Sequence, residues 1–443
     1  MIYTEDGEFK QAIAPGKYDL LISHGNEYDA ENKTISIRRG ETATFEVQLR
    51  RSVNTTGWVS ADYHSHSTPS GDNTSSQLGR VLNLLAEHIE FAPCTEHNRI
   101  SSYDPHLRTL NAVDRMATCT GMELTGSLLP VNHQNVFPLH HHPHTQDGGG
   151  PWVDSDPVEQ IKRIAGWDDN SEKLIQEDHP NLIQVYGDRD TDGVPDGGFR
   201  EMLGFMDVVE VHPPQEIFNR PKPGKPKEDL KDKMFHWMQL LNQGYRIPGV
   251  VNTDAHYTFH GSGWLRNYIK SSTDDPSKIS TMEMVHESEH GHIVMTNGPF
   301  MEVTLESGGK KAIPGDDIEA VDGKAKLHVR VQCPNWHTIN RVQVFRNGVP
   351  DANLNYNFAT QRKSFKDGTV KFDEVIDVKV EADEHIIVAA IGEGLELGPV
   401  FGPDRGKDPP TAVSNPIFVD ADGDGFKPNK DEMGYPLPEV EAN

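Results

Sequence analysis

Apolar and polar positions give the chain three stretches of different rhythm. Residues 1–56 alternate: "KYDLLIS" after a Pro-Gly turn, then two short strands about Arg39-Gly40 in "KTISIRRGETATFEVQLRR". They predict a small β module of sandwich type, short for one. Between 57 and 298, short apolar strands end in charged clusters and alternate with helical stripes. Leu78, Val81, Leu82 and Leu85 make one stripe, with Ser75 or Ser76 as its cap. Residues 228–244 make another, closed by Gly244 and with Met234, Trp237, Met238 and Leu241 as core positions. Alternating β and α implies a parallel sheet or barrel, whose chemistry sits at the C-terminal strand ends. From 299 to 443 the strands "KLHVRVQCP", "NRVQVFRNG", "TVKFDEVIDVKV" and "HIIVAAIG" predict a β-sandwich with an acidic Asp/Gly tail.

Composition narrows the function. The formal charge is 42 − 68 = −26, with 35% hydrophobic residues. Such acidity argues against a nucleic-acid backbone or an anionic membrane as partner. Oligomeric state is not legible. No apolar run is long enough for a membrane span. The opening "MIYTEDGEFK" shows no signal peptide and begins in strand-like sequence, as a trimmed N-terminus would. Cys94, Cys119 and Cys333 form neither a disulfide framework nor a CxxC motif and read as buried small residues.

The 22 histidines carry the chemistry. In a strand, residues i and i+2 face the same way, so His64 and His66 of "ADYHSHS" present two nitrogens to one point. Alone the pair is a weak signal and reads more often as two exposed or hydrogen-bonded histidines. The pattern recurs, however, at Glu96-His97, Glu123, His133, His179 and Asp254/His256, all at strand ends. Buried charges of this kind cost free energy unless paired or metal-bound. Imidazoles and carboxylates without thiolates suit Zn, Mn or Fe.

These motifs, "ADYHSHS", "SGDN", "TEHN", "GMELT", "NHQNVFPL", His179-Pro180, "NTDAH" and "TNGPF", resemble in order those of the PHP (polymerase and histidinol phosphatase) metallohydrolases, most closely the carbaryl-hydrolase-like branch. The resemblance implies an α/β fold: a distorted seven-stranded (β/α) barrel over 57–298, flanked by N-terminal and C-terminal β-sandwich-like modules. It also implies two or three divalent metals. Carried over by motif, His64, His66, Glu123 and Asp254 would hold the first metal. Glu123 would bridge to a second, held with His133 and His179. Asp72, His97 and His256 would hold a third. Glu96 stands where the family usually has Asp. The implied activity is a metal-dependent hydrolase using metal-bound hydroxide, with a small-molecule ester as its partner: phosphoesters first, carboxyl esters or carbamates second. A carbohydrate- or surface-binding protein with a vestigial barrel is the reading from another class. Export to the periplasm or medium is implied by the family only.

Other features have a functional and a plain reading. Glu96, His212 or a histidine of 140–144, such as His142, would be the leaving-group acid; the His-rich loop otherwise reads as solvated. Asp420, Asp422, Asp424 and Asp431 have calcium-loop spacing, and Asp188, Asp190, Asp192 and Asp196 echo it. A structural Ca²⁺ in each is set against a plain Asp/Gly turn. Arg266 and Tyr268, close after "NTDAH", are expected to bind substrate, and the basic loop 220–229 reads as a stiff surface segment.

Overall fold

A computed structural model describes residues 2–221, 232–256 and 261–440. Most of the basic loop expected at 220–229 lies outside the described residues.

The fold is mixed α/β, with its strands in several sheets. At its centre lies a nine-stranded sheet that takes strands from both sides of residue 298: Trp58–Ala61, Arg266–Lys270 and Ile293–Thr296 join Thr411–Ser414, Glu384–Ile391 and Ile417–Asp420. "EHIIVAAI" explains how one strand serves both. Every residue in it is buried. Ile386, Val388 and Ala390 pack into one apolar cluster, and Ile387 and Ala389 into another. A period of two with both faces covered reads as a continuous apolar run.

The first of those clusters is the interior of a β-sandwich. Its other layer is a four-stranded sheet of Lys310–Ala312, Phe300–Ser307, Lys324–Gln332 and Val370–Lys379. Leu305, Leu327, Val329 and Ile376 face inward from that layer. The second cluster fills the α/β part, where Met234, Trp237, Met238 and Leu241 of the helix Lys233–Asn242 are buried as their spacing predicts. Helix Gln77–Ala86 starts at Ser76, whose hydroxyl accepts from Gly79 N at 3.0 Å. The N-terminal stretch is simpler than a sandwich. Among the described residues of 2–56 it forms one antiparallel pair, Gly16–Ile22 with Glu31–Ile37.

The α/β part holds a five-stranded sheet in the order Met122–Thr125, His133–Phe137, Leu174–Glu177, Val208–Glu210, Gly249–Val250. The last two junctions are parallel, the first two antiparallel. No closed barrel of continuous ladders forms among the described residues. Single parallel bridges extend the sheet at each edge: Ala61 to Phe91, Phe91 to Ala117, His97 to Glu123, and Ser65 to Ala255. The tail returns to this part after the sandwich. Leu437 is buried in its core, and the Asn242 amide donates to Asp431 O at 3.0 Å.

Candidate metal centre

The residues on these strand ends converge. Glu123 is the hub and is fully buried. Its Oε2 lies 3.2 Å from His64 Nε2, 3.1 Å from His66 Nε2 and 2.8 Å from His97 Nδ1. Its Oε1 lies 2.7 Å from His133 Nδ1. On the opposite side, Asp254 Oδ1 lies 3.3 Å from His64 Nε2, 3.2 Å from His66 Nε2 and 3.4 Å from His256 Nδ1. Toward solvent, Asp72 Oδ2 reaches His97 Nε2 at 3.2 Å and His256 Nε2 at 3.3 Å. Ligand atoms gather within 4.8 Å in the groups His64/His66/Glu123, Glu123/His133/His179, His64/His179/Asp254 and His66/His97/His256. The expected metal ligands are thus brought together. They grade from a sealed floor at His64, His66 and Glu123 to a mouth where the Asp72 side chain is 53% exposed.

The backbone enforces this. His66 N donates to Ala255 O at 3.0 Å and Asp254 N to His64 O at 2.9 Å, so the first and last ligand segments run side by side. Asp62 ties them further, accepting from Thr253 Oγ1 at 2.6 Å. His179 (φ 34°) and Asp254 (φ 45°) both adopt left-handed backbone, a strained state that persists only where the surroundings hold it.

The charges follow from the packing. Burial opposes charge on Glu123, but His64, His133 and His66 outweigh it and hold the carboxyl well below the usual range. Asp254 is lowered likewise: burial pushes it up, and His64 and His66 pull it further down. Burial opposes protonation of His66, yet Asp254 and Glu123 raise it to about 9. His64 is raised despite burial by Asp178, Asp254, Glu210 and Glu123. Burial takes His179 the other way, to about 4. Protons thus sit where a cation would bind.

The donor set fits divalent metal. His133 Nε2 is buried without a hydrogen-bond partner, and the Glu123 Oε1–His133 Nδ1 and His66 Nε2–Glu123 Oε2 contacts, 2.7 and 3.1 Å, lie off hydrogen-bond geometry. Such orphans are costly in a protein interior.

Several expectations need correction. Glu96 is not a free acid. Its carboxylate is buried and accepts from Ser67 N at 2.9 Å, Ser67 Oγ, Ser70 Oγ at 2.5 Å and Gln77 Nε2 at 3.1 Å. Ser70 Oγ in turn meets His66 Nδ1 at 3.0 Å, so Glu96 orients one of the expected ligands. Arg266 and Tyr268 are fully buried in the nine-stranded sheet. Arg266 donates to Gly263 O at 2.6 Å, and the Tyr268 ring packs on Phe300 with centroids 4.8 Å apart. Neither lines the metal centre. His142 is exposed, and His212 is half-buried with Nε2 3.6 Å from Glu210 Oε2.

In the Asp/Gly loops the carboxylates accept from the loops' own backbone amides. Asp420 accepts from Gly423 N at 2.8 Å and Gly425 N at 2.9 Å, and Asp424 pairs with Lys427. Asp422 accepts from Asp424 N at 3.2 Å, while Asp431 turns away to accept from Met433 N at 2.9 Å. In the other loop Asp188 accepts from Gly193 N at 2.9 Å, Asp190 from Asp192 N at 3.2 Å, Asp192 from Val194 N at 2.7 Å and Asp196 from Gly198 N at 2.9 Å. A further group, Glu27, His88 and Glu90, could hold a cation by geometry, but the Arg51 guanidinium already sits 2.5 Å from Glu27 Oε2.

Two buried carboxylates beside the centre escaped the sequence reading. Glu210 Oε1 lies 3.1 Å from His64 Nδ1, and Asp178 Oδ1 lies 3.7 Å from the same atom. Each is an acid at the end of a short apolar strand, the same signal that marks Glu123. No family model matches the chain, nor does any curated protein. No helix among the described residues is long and apolar enough to cross a membrane.

Proposed function

We propose that the chain is a metal-dependent hydrolase of the PHP type, acting on phosphoesters, and that the seven strand segments around the ligands make its distorted barrel. One observation carries the reading. A carboxylate accepts only, so His64 Nδ1–H donates to Glu210 Oε1, 3.1 Å away. With that proton on Nδ1, His64 Nε2 faces two carboxylate oxygens at once, Glu123 Oε2 and Asp254 Oδ1, 3.2 and 3.3 Å away. Without metal a second proton on the ring sits between them, and a divalent cation would take that proton's place.

His64, His66, Glu123 and Asp254 would hold one ion, Glu123, His133 and His179 a second, and Asp72, His97 and His256 a third. Zn²⁺, Mn²⁺ or Fe²⁺ bound there supplies Lewis acidity, making water acidic near neutral pH and polarising an ester oxygen. The chain's residues do the rest. Glu123 and Asp254 stay anionic on two sides of the floor. Glu96, through Ser70, fixes the His66 ring. Asp72 and His256 form the rim where substrate enters. Of the expected proton donors, His212 is the one beside the cluster, through Glu210, and we assign it the leaving group.

Metal analysis with a chromogenic panel tests this. Aryl phosphate mono-, di- and triesters should turn over with Mn²⁺ or Zn²⁺ and stop with chelator. Turnover of aryl esters or carbamates alone would move the substrate class. Little bound metal and no turnover would favour a binding protein with a vestigial site.

A further inference from the structure

We infer that Glu210 is a positioning residue that sets two metal ligands from different strands with one carboxylate; the inference rests on the metal reading above. Glu210 ends the strand Val208–Glu210 and is fully buried. Its two oxygens do separate work. Oε1 accepts from His64 Nδ1–H at 3.1 Å and from Asn252 Nδ2 at 3.0 Å. That leaves His64 Nε2, which faces Glu123 and Asp254, as the ring nitrogen free to exchange its proton for a metal ion. Oε2 accepts from His179 N at 2.9 Å.

The second bond matters because His179 has a φ of 34°, which a β-carbon disfavours. A buried anion on its amide helps hold the strained turn that brings the His179 ring 5.2 Å from that of His133 and 5.7 Å from that of His64. Asp178 cannot substitute. Its Oδ1 is engaged by Gln176 Nε2 at 2.6 Å and lies farther, 3.7 Å, from His64 Nδ1. Carboxylates behind ligating histidines fix tautomer and ring orientation, and their loss weakens metal binding about 10–100-fold.

Glu210→Gln separates the two functions by chemistry alone. The amide is nearly isosteric but has one acceptor. If its oxygen serves His64, its NH₂ meets the His179 N–H; if it serves His179, the NH₂ meets His64 Nδ1. One bond fails in either orientation. With Zn²⁺ as the probe, chelator competition should give a dissociation constant about 10–100-fold weaker than wild type. The circular dichroism spectrum should not change. A dissociation constant within twofold of wild type in the folded variant overturns the inference and leaves the metal reading standing. Should Glu210→Gln fail to fold, ¹⁵N NMR of the Zn²⁺-loaded wild-type chain decides. A proton on His64 Nδ1 supports the role, and a proton on Nε2 overturns it. Wild-type protein that takes up no Zn²⁺ overturns the metal reading itself, a result distinct from either.

Discussion

Glu123→Gln is the sharpest single perturbation of the centre. In the metal-free chain the Glu123 carboxylate faces four imidazoles at 2.7–3.2 Å inside a dry site. Removing one partner from a buried charged cluster costs about 3–5 kcal/mol, because the groups left behind keep their desolvation penalty. The variant should therefore melt lower in chelator. Unfolding entropy of about 2.1 cal/mol/K per residue over 443 residues makes 1 kcal/mol worth about 1 °C if the chain melts as a unit. The expected drop is then about 3–5 °C. Metal adds a second contrast. At a free concentration of about 100 times Kd, each occupied site stabilises the wild type by about 2.7 kcal/mol, or about 3 °C. Glu123→Gln lacks the carboxylate that the proposal shares between two sites and should lose most of that rise. Differential scanning calorimetry with Zn²⁺ and with chelator reads both numbers, and elemental analysis reads the stoichiometry. A variant with the wild-type metal count and the wild-type metal-dependent rise would refute the claim that Glu123 is the hub.

Three further outcomes are expected. Metal affinity should strengthen as pH rises toward about 9, since the metal-free chain keeps protons on His66 and His64 that the ion must displace; titrations between pH 6 and 9 should show about a tenfold gain per unit for each proton released, and a flat profile would oppose this. His385, buried with Nδ1 unpartnered, is depressed to about 3 by burial. Its contribution is present above the unfolded value of 6.5 and lost as pH falls through 6.5 toward 3, so acidifying to pH 5 should cost about 2 kcal/mol that His385→Leu does not lose, read by urea unfolding at both pH values. A methyl group at Gly187 would overlap the Pro438 carbonyl oxygen, so Gly187→Ala should release the tail near Leu437 and expose it to limited proteolysis, while the metal count stays unchanged.

Much of the centre is legible in the chain because its signals are local. His64 and His66 share a strand face by a period of two, and Glu123, Asp254 and His256 each close a short apolar run. What hides is long-range. Glu210 and Asp178 look like any acid after a strand until the sheet order sets them behind His64, 146 and 114 residues away. Glu96 looks catalytic until the turn at 67–70 folds its hydroxyls onto the carboxylate. Arg266 and Tyr268 follow "NTDAH" closely, but their strand runs antiparallel between Trp58–Ala61 and Ile293–Thr296, which buries both side chains in the sheet. The nine-stranded sheet is hidden for the same reason. "HIIVAAI" shows that a strand is covered on both faces, not that the second cover comes from residues before 298.

The most direct measurement is anomalous X-ray scattering from crystals grown with Zn²⁺ or Mn²⁺. Peaks are expected within about 2.0–2.2 Å of His64 Nε2, His66 Nε2, Glu123 and Asp254, with another between Glu123 and His133. Well-ordered side chains at these positions with no anomalous peak among them would contradict the metal reading.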